Sequence, residues 1–327
     1  MENSEIKDNQ DQIQLPFNNL FLNAGFVSGS NKLSAYISTF LVTVFAYFSY
    51  QVLMLGVLVY MAQQNGMDIY DTQALMKNIM NPDAIGVSKN FMLALLLGMF
   101  AFTFLSFYFS VKKIHGKTFL SVITSYPKIR WNQIFFAFGI WSVVLIVSFL
   151  IDYLWLNPED YIWNFDLQKF LALLILSVVF IPIQSSFEEI FFRGYLMQGI
   201  SIGTKNGVLA LVFTSLLFGL AHMSNPEAEE YGAWIMLPYY SLFGLFLGLF
   251  ALWNNGLELS IGIHVANNLI SSLLVTSKNT VLQTDALFVV KQDNVVNEFF
   301  AWMVMAFITY LIFQFKYKFK NHLQLLK

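Results

Sequence analysis

The chain has 327 residues, of which 57% are hydrophobic and only 12% charged, with a net charge of −2. A soluble domain carries about 25% charged residues, so the composition excludes a soluble globule, and the charge gives no pull toward nucleic acid. The absence of cysteine excludes a disulfide framework, a thiolate metal site and a cysteine nucleophile.

Residues 1–31 open polar and acidic, with Glu2, Glu5, Asp8 and Asp11. That is the wrong start for a cleavable signal peptide. They read as a cytoplasmic tail in which Leu15, Phe17, Leu20, Phe21 and Leu22 are placed to rest on the membrane surface. A bilayer-spanning helix needs about 20 mostly apolar residues. Eight stretches are candidates: 34–62, 91–114, 131–155, 170–197, a short one at 208–222, 234–253, 257–277 and 298–315. The expected fold is all-α and polytopic, with about eight transmembrane helices around a polar intramembrane cavity. Residues 32–168 hold the first three helices and no motif. Residues 169–277 hold helices four to seven and the polar oddities, and 278–327 hold the last helix and a basic tail.

Orientation follows from Lys and Arg near helix ends. Lys112, Lys113, Lys117, Lys128 and Arg130 lie between helices two and three, and Lys316, Lys318, Lys320 and Lys327 in the tail. Acids fill the links after helix three (Asp152, Glu159, Asp160, Asp166) and after helix five (Glu227, Glu229, Glu230). Eight spans with both termini in the cytoplasm put each group on its expected side. His115 and His322 lie in basic stretches and are expected to be solvated. Gly244 and Gly248 form a small-xxx-small pair suited to close helix packing.

Helix four carries Glu188, Glu189 and Arg193 in an otherwise apolar run. An ionised side chain at the centre of a membrane helix costs roughly 2.5–3.5 kcal/mol and marks a functional site by default. Glu189 and Arg193 are four apart with the acid first, the favoured ion-pair order. Glu188 is rotated about 100° from Glu189 and is left free, as a general base requires. Helix five ends with Phe218 and His222 at i, i+4, and helix seven carries His264 and Asn268 at the same spacing. Taken singly, a histidine at a helix end is a capping residue and a His–Asn pair is interhelical glue. Taken together, one Glu, two His and one Asn make a hydrolytic set. A Glu and a His take a proton from water, and a His and an Asn donate to an oxyanion, a role worth about 2.7–4 kcal/mol per donor.

The order Glu188-Glu189-x-x-x-Arg193, Phe218-x-x-x-His222, His264-x-x-x-Asn268 resembles the three motifs of the CPBP family. That family contains the CAAX prenyl endopeptidases of the Ras-converting type and the bacterial Abi bacteriocin-processing and self-immunity proteins. The resemblance covers roughly residues 169–277. It implies an intramembrane endopeptidase in which Glu188 and His222 activate water and His264 and Asn268 form the oxyanion hole, with Glu189 and Arg193 in support. It implies a hydrophobic or lipidated peptide substrate, membrane lipid as the surroundings, no nucleic-acid partner and, from the nearer relatives, a bacterial cell membrane. No cofactor is favoured. Zinc is the alternative, since Glu188, His222 and His264 are a zinc-compatible set, although the helical His-Glu-x-x-His signature is missing. A proton-coupled transporter is a rival reading, but no internal duplication is visible. A non-proteolytic immunity or scaffold protein is another. On the predicted spans the motif residues sit at different depths. Convergence needs about 10 Å of vertical adjustment, from tilt, a kink near Pro182 or a longer helix four.

Overall fold

A computed structural model describes residues 17–320. The tail residues Glu2, Glu5, Asp8, Asp11 and Leu15, and His322 and Lys327 at the other end, lie outside the described residues. The helices in chain order are α1 Leu20–Val27, α2 Leu33–Gln64, α3 Thr72–Asn78, α4 Pro82–Ile85, α5 Lys89–Lys113, α6 Trp131–Ile151 and α7 Leu167–Glu189. They continue with α8 Met197–Thr204, α9 Gly207–Ala221, α10 Pro226–Tyr231, α11 Ala233–Trp253, α12 Glu258–Leu274 and α13 Val295–Tyr317. Many begin at a residue that caps the free amides of the first turn: Asn19, Asp71, Asn81, Ser88, Asp166, Asn206 and Asn294 each accept from a backbone N–H two or three residues on.

Among the described residues all eight expected apolar stretches form helices, but six, not the expected eight, are long and apolar enough to cross a membrane. The other two are shorter: α9 has 15 residues and α12 has 17. The α12 helix packs on α6, α7 and α11, so its polar residues meet protein rather than lipid. Its contact with α6 is close: a Cβ on Gly262 would fall onto the Ile134 carbonyl. Its first turn is pinned by Glu258, buried, which accepts from Arg130 Nη2 at 2.6 Å and Nε at 3.0 Å.

Helix four extends beyond its predicted 170–197. α7 runs through a π-helical segment, Ile190–Leu196, straight into α8, giving one continuous rod over Leu167–Thr204. At 1.5 Å per residue the rod is about 55 Å long, well beyond the hydrocarbon thickness of about 30 Å. Glu188 therefore lies near its middle. Three short strands, β1 Tyr161–Trp163, β2 Val275–Thr276 and β3 Phe288–Val290, make a sheet in the order β1-β3-β2. It ties the link after α6 to the link after α12.

Two expectations about the periphery are corrected. Phe17, Phe21 and Leu22 do not rest on the membrane surface: they are buried against Phe107, Val111, Tyr195 and Leu252, and only Leu20 is exposed. The α1 sequence LFLNAGFV is apolar nearly all round, and a helix of that kind belongs inside. His115 is not solvated. It is buried, with Nδ1 2.9 Å from the Ser30 carbonyl oxygen and Nε2 2.7 Å from the Tyr195 hydroxyl. The link after α5 turns inward here rather than lying on the surface.

Candidate active site

The α7 rod presents two polar pairs, one turn apart. Gln184 and Glu188 share one face, Ser185 and Glu189 the next, by the i, i+4 rule. One turn further, in the π segment, Arg193 donates from Nη1 to Glu189 Oε1 at 2.9 Å. A π-bulge inside an α-helix is frequently a functional feature. Neither Glu189 nor Arg193 has any exposed surface, while Glu188 is 7% and His264 2% exposed. Arg193 also lies over the Phe218 ring, 4.1 Å from its centroid. Gly244 makes the space it needs, since a Cβ there would stand 2.9 Å from Nη2. The small-xxx-small pair thus lets α11 approach the guanidinium.

His264 from α12 reaches the same carboxylate. Its Nδ1 is 2.7 Å from Glu189 Oε1, and its Nε2 is 3.5 Å from Glu188 Oε2. A carboxylate only accepts, so Nδ1 carries a proton and Nε2 is turned toward Glu188. Phe218 and Phe243 pack their ring edges against the imidazole. Glu188 Oε2 has no hydrogen-bond partner among the described residues.

His222 caps the C-terminus of α9. Its Nδ1 lies 2.7 Å from the Phe218 carbonyl, which can only accept. That bond leaves Nε2 for the cavity. The ring stacks on Tyr240, with centroids 4.3 Å apart. Among the described residues His222 and Glu188 share no direct hydrogen bond, but both line one cavity.

Asn268 belongs to a hydrogen-bonded chain that crosses three helices. Its Nδ2 donates to Gln184 Oε1 at 3.0 Å and Ser185 Oγ at 3.3 Å. Asn267 Nδ2 donates to Asn268 Oδ1 at 3.1 Å, and Trp141 Nε1 to Asn267 Oδ1 at 3.2 Å. Sequence reasoning missed Gln184, Ser185, Asn267 and Trp141. The signal for Gln184 was available: it is an amide in an apolar run, one turn before Glu188.

The cavity measures about 2400 Å³. Of the seven residues singled out from the sequence, Glu188, Phe218, His222, His264 and Asn268 line it, and Glu189 and Arg193 stand behind its wall. Among the described residues no three His, Asp or Glu side chains come close enough together to hold a metal ion. Glu188, His222 and His264 face one cavity without converging on a point, so the set does not fit zinc as it stands.

The fold and this site define a class: an all-α polytopic membrane protein with a buried carboxylate–histidine cluster on the wall of an intramembrane cavity. Residues 167–270 match the family of Rce1-like type II CAAX prenyl endopeptidases. The match spans α7 through most of α12 and includes all seven residues. The chain is also similar to the uncharacterized protein YyaK of Bacillus subtilis (strain 168), with 33% identity over 187 residues. That alignment covers 57% of this chain and 62% of YyaK, less than two thirds of its length. No solved structure matches the chain.

Proposed function

We propose that the protein is an intramembrane endopeptidase of the glutamate type, acting on a hydrophobic or lipidated peptide in a bacterial cell membrane, with both termini cytoplasmic. The observation that carries this reading is the line Arg193–Glu189–His264–Glu188, four ionisable groups in contact distance and nearly shut off from bulk solvent. Uncompensated buried charge is costly. Arg193 balances Glu189, and one proton held between His264 and Glu188 makes the whole line neutral.

In this reading Glu188, assisted by His222, takes a proton from a water molecule. The resulting hydroxide attacks the peptide carbonyl. The oxyanion takes a hydrogen bond from His264 Nε2–H, with Nδ1–H anchored on Glu189. Asn268 joins as a second donor by releasing Ser185, the longer of its two bonds. The proton held by Glu188 passes to the leaving amine as the C–N bond breaks, so one water yields one acid and one amine. No metal takes part in these steps. In this reading the CAAX-type and Abi-type roles differ in the peptide supplied.

The test is a comparison of membrane peptides from cells carrying the wild-type chain or Glu188→Gln. Fragments present only with the wild type support the reading; identical peptide profiles overturn it. Exhaustive chelation then separates the mechanisms. Cleavage persists in the glutamate-type reaction and is lost in a zinc-dependent one.

A further inference from the structure

The family match begins at residue 167, so α2 lies outside it, yet α2 forms a wall of the cavity. The helix has three faces. Phe45, Val52 and Leu53 are exposed on the lipid side. A second face packs on α5, where Gly98 makes room for the Tyr50 hydroxyl: a Cβ there would stand 2.6 Å from it. The third face looks into the cavity and carries Tyr47 and Gln51. Neither the Tyr47 hydroxyl nor the Gln51 amide has a hydrogen-bond partner among the described residues. Thr43, one turn before, is different, because its hydroxyl is used up on the Thr39 carbonyl at 2.8 Å.

A polar side chain on a membrane helix is costly unless something satisfies it. Here the cavity is what both groups meet. Tyr47, Gln51 and Glu188 all line that cavity. Spacing supplies the rest. Residues 47 and 51 are one turn apart, about 6 Å along the axis. Groups on the same side of an extended peptide repeat every two residues, about 6.6 Å.

We infer that α2 is a peptide-binding wall, on which the Tyr47 hydroxyl and the Gln51 amide hydrogen-bond alternate residues of an extended peptide laid across Glu188. The function proposed above identifies the ligand as a peptide; the wall itself is read from α2 alone. Tyr47 and Gln51 bind and orient, and they exchange no proton with the reacting atoms.

Two measurements test this. On a peptide found to be cleaved by the wild-type chain, Tyr47→Phe and Gln51→Leu are each expected to raise KM about tenfold. Turnover and melting temperature stay at the wild-type level, and Phe45→Leu on the lipid face changes nothing. An unchanged KM in both variants overturns the inference. The second measurement needs no catalysis, because the chain has no cysteine. Single-cysteine variants Tyr47→Cys and Gln51→Cys, made in the full chain with Glu188→Gln and held in lipid nanodiscs, are expected to react with a water-soluble maleimide. Phe45→Cys and Val52→Cys are not. A hydrophobic hexapeptide in excess is expected to slow the reaction at 47 and 51 about tenfold. No labelling there, or labelling indifferent to the peptide, overturns the inference. If the wild type cleaves nothing, the proposed function fails and the labelling alone decides the wall.

Discussion

Arg193 and Tyr195 are two residues apart in the π segment, yet they serve buried polar clusters of opposite design. Arg193 meets charge with charge: Glu189 accepts from it and from His264, and Glu188 completes the line. Tyr195 belongs to a cluster without a carboxylate. Its hydroxyl lies 2.7 Å from His115 Nε2 and 3.2 Å from the Tyr36 carbonyl. Beside it, Lys117 donates to the Gly25 carbonyl at 2.6 Å and to Asn31 Oδ1 at 3.1 Å. Carbonyl dipoles satisfy hydrogen bonds but do not cancel a net charge. Burial therefore brings the Lys117 ammonium down from 10.5 to about 8, and it lowers His115 as well. The first cluster balances charge with charge inside the protein. The second is a latch of hydrogen bonds holding the α1–α2 link against the rod that carries Arg193.

The largest expected effect strikes the charged cluster. Glu188→Gln removes the proposed base while keeping the shape, and cleavage is expected to fall about 10³-fold, the middle of the range for general acid–base groups, with folding measured by thermal melting unchanged. Arg193→Met leaves Glu189 buried without its cation. Breaking a buried pair in this way costs about 3–5 kcal/mol, readable as a lowered melting temperature in detergent. Adding Glu189→Gln to that variant keeps an acceptor for His264 and removes the orphaned charge, so stability rises relative to Arg193→Met alone. A double variant no more stable than the single one breaks the claim that charge balance holds this cluster.

In the latch the effects are smaller. Tyr195→Phe strips the donor from a buried His115 nitrogen, with a cost of about 1–3 kcal/mol, and leaves the cleavage rate of the folded protein unchanged. Lys117 predicts a pH dependence. Its folded-state pKa lies below its unfolded value, so between about pH 8 and 10.5 the unfolded chain binds the extra proton. Stability therefore rises with pH across that window. Lys117→Met lacks this rise, and the difference between the two melting-temperature profiles isolates it. Parallel profiles contradict the reading of Lys117 as a cation held only by dipoles.

How the two clusters could be read from sequence follows the same division. Glu188, Glu189 and Arg193 were legible because charge in an apolar run has no bland explanation, and the i, i+4 spacing already paired Glu189 with Arg193. The His264–Glu189 bond was not legible, because nothing in the order of residues says which carboxylate a second helix will face. The latch was misread for a related reason. His115 and Lys117 sit among exposed lysines, and local composition reports the average of a stretch rather than the one turn that folds inward. The same holds for Phe21 and Leu22, whose burial depends on Phe107 and Tyr195, far away along the chain. The family match, confined to 167–270, covers the charged cluster and leaves α1, α2 and the latch outside.

Hydrophobic runs and charge placement determined by themselves that this chain is a helical membrane protein and which few residues must be protected from lipid, since hydrocarbon penalises every unsatisfied polar group wherever it occurs. Only the tertiary structure decided the partners. It extended α7 through the π segment to bring Glu188 to mid-rod, turned His264 onto Glu189 rather than into solvent, and set Tyr47 and Gln51 on the wall of the cavity that Glu188 also lines. Those are distances between helices remote in sequence, and packing, not local pattern, sets them.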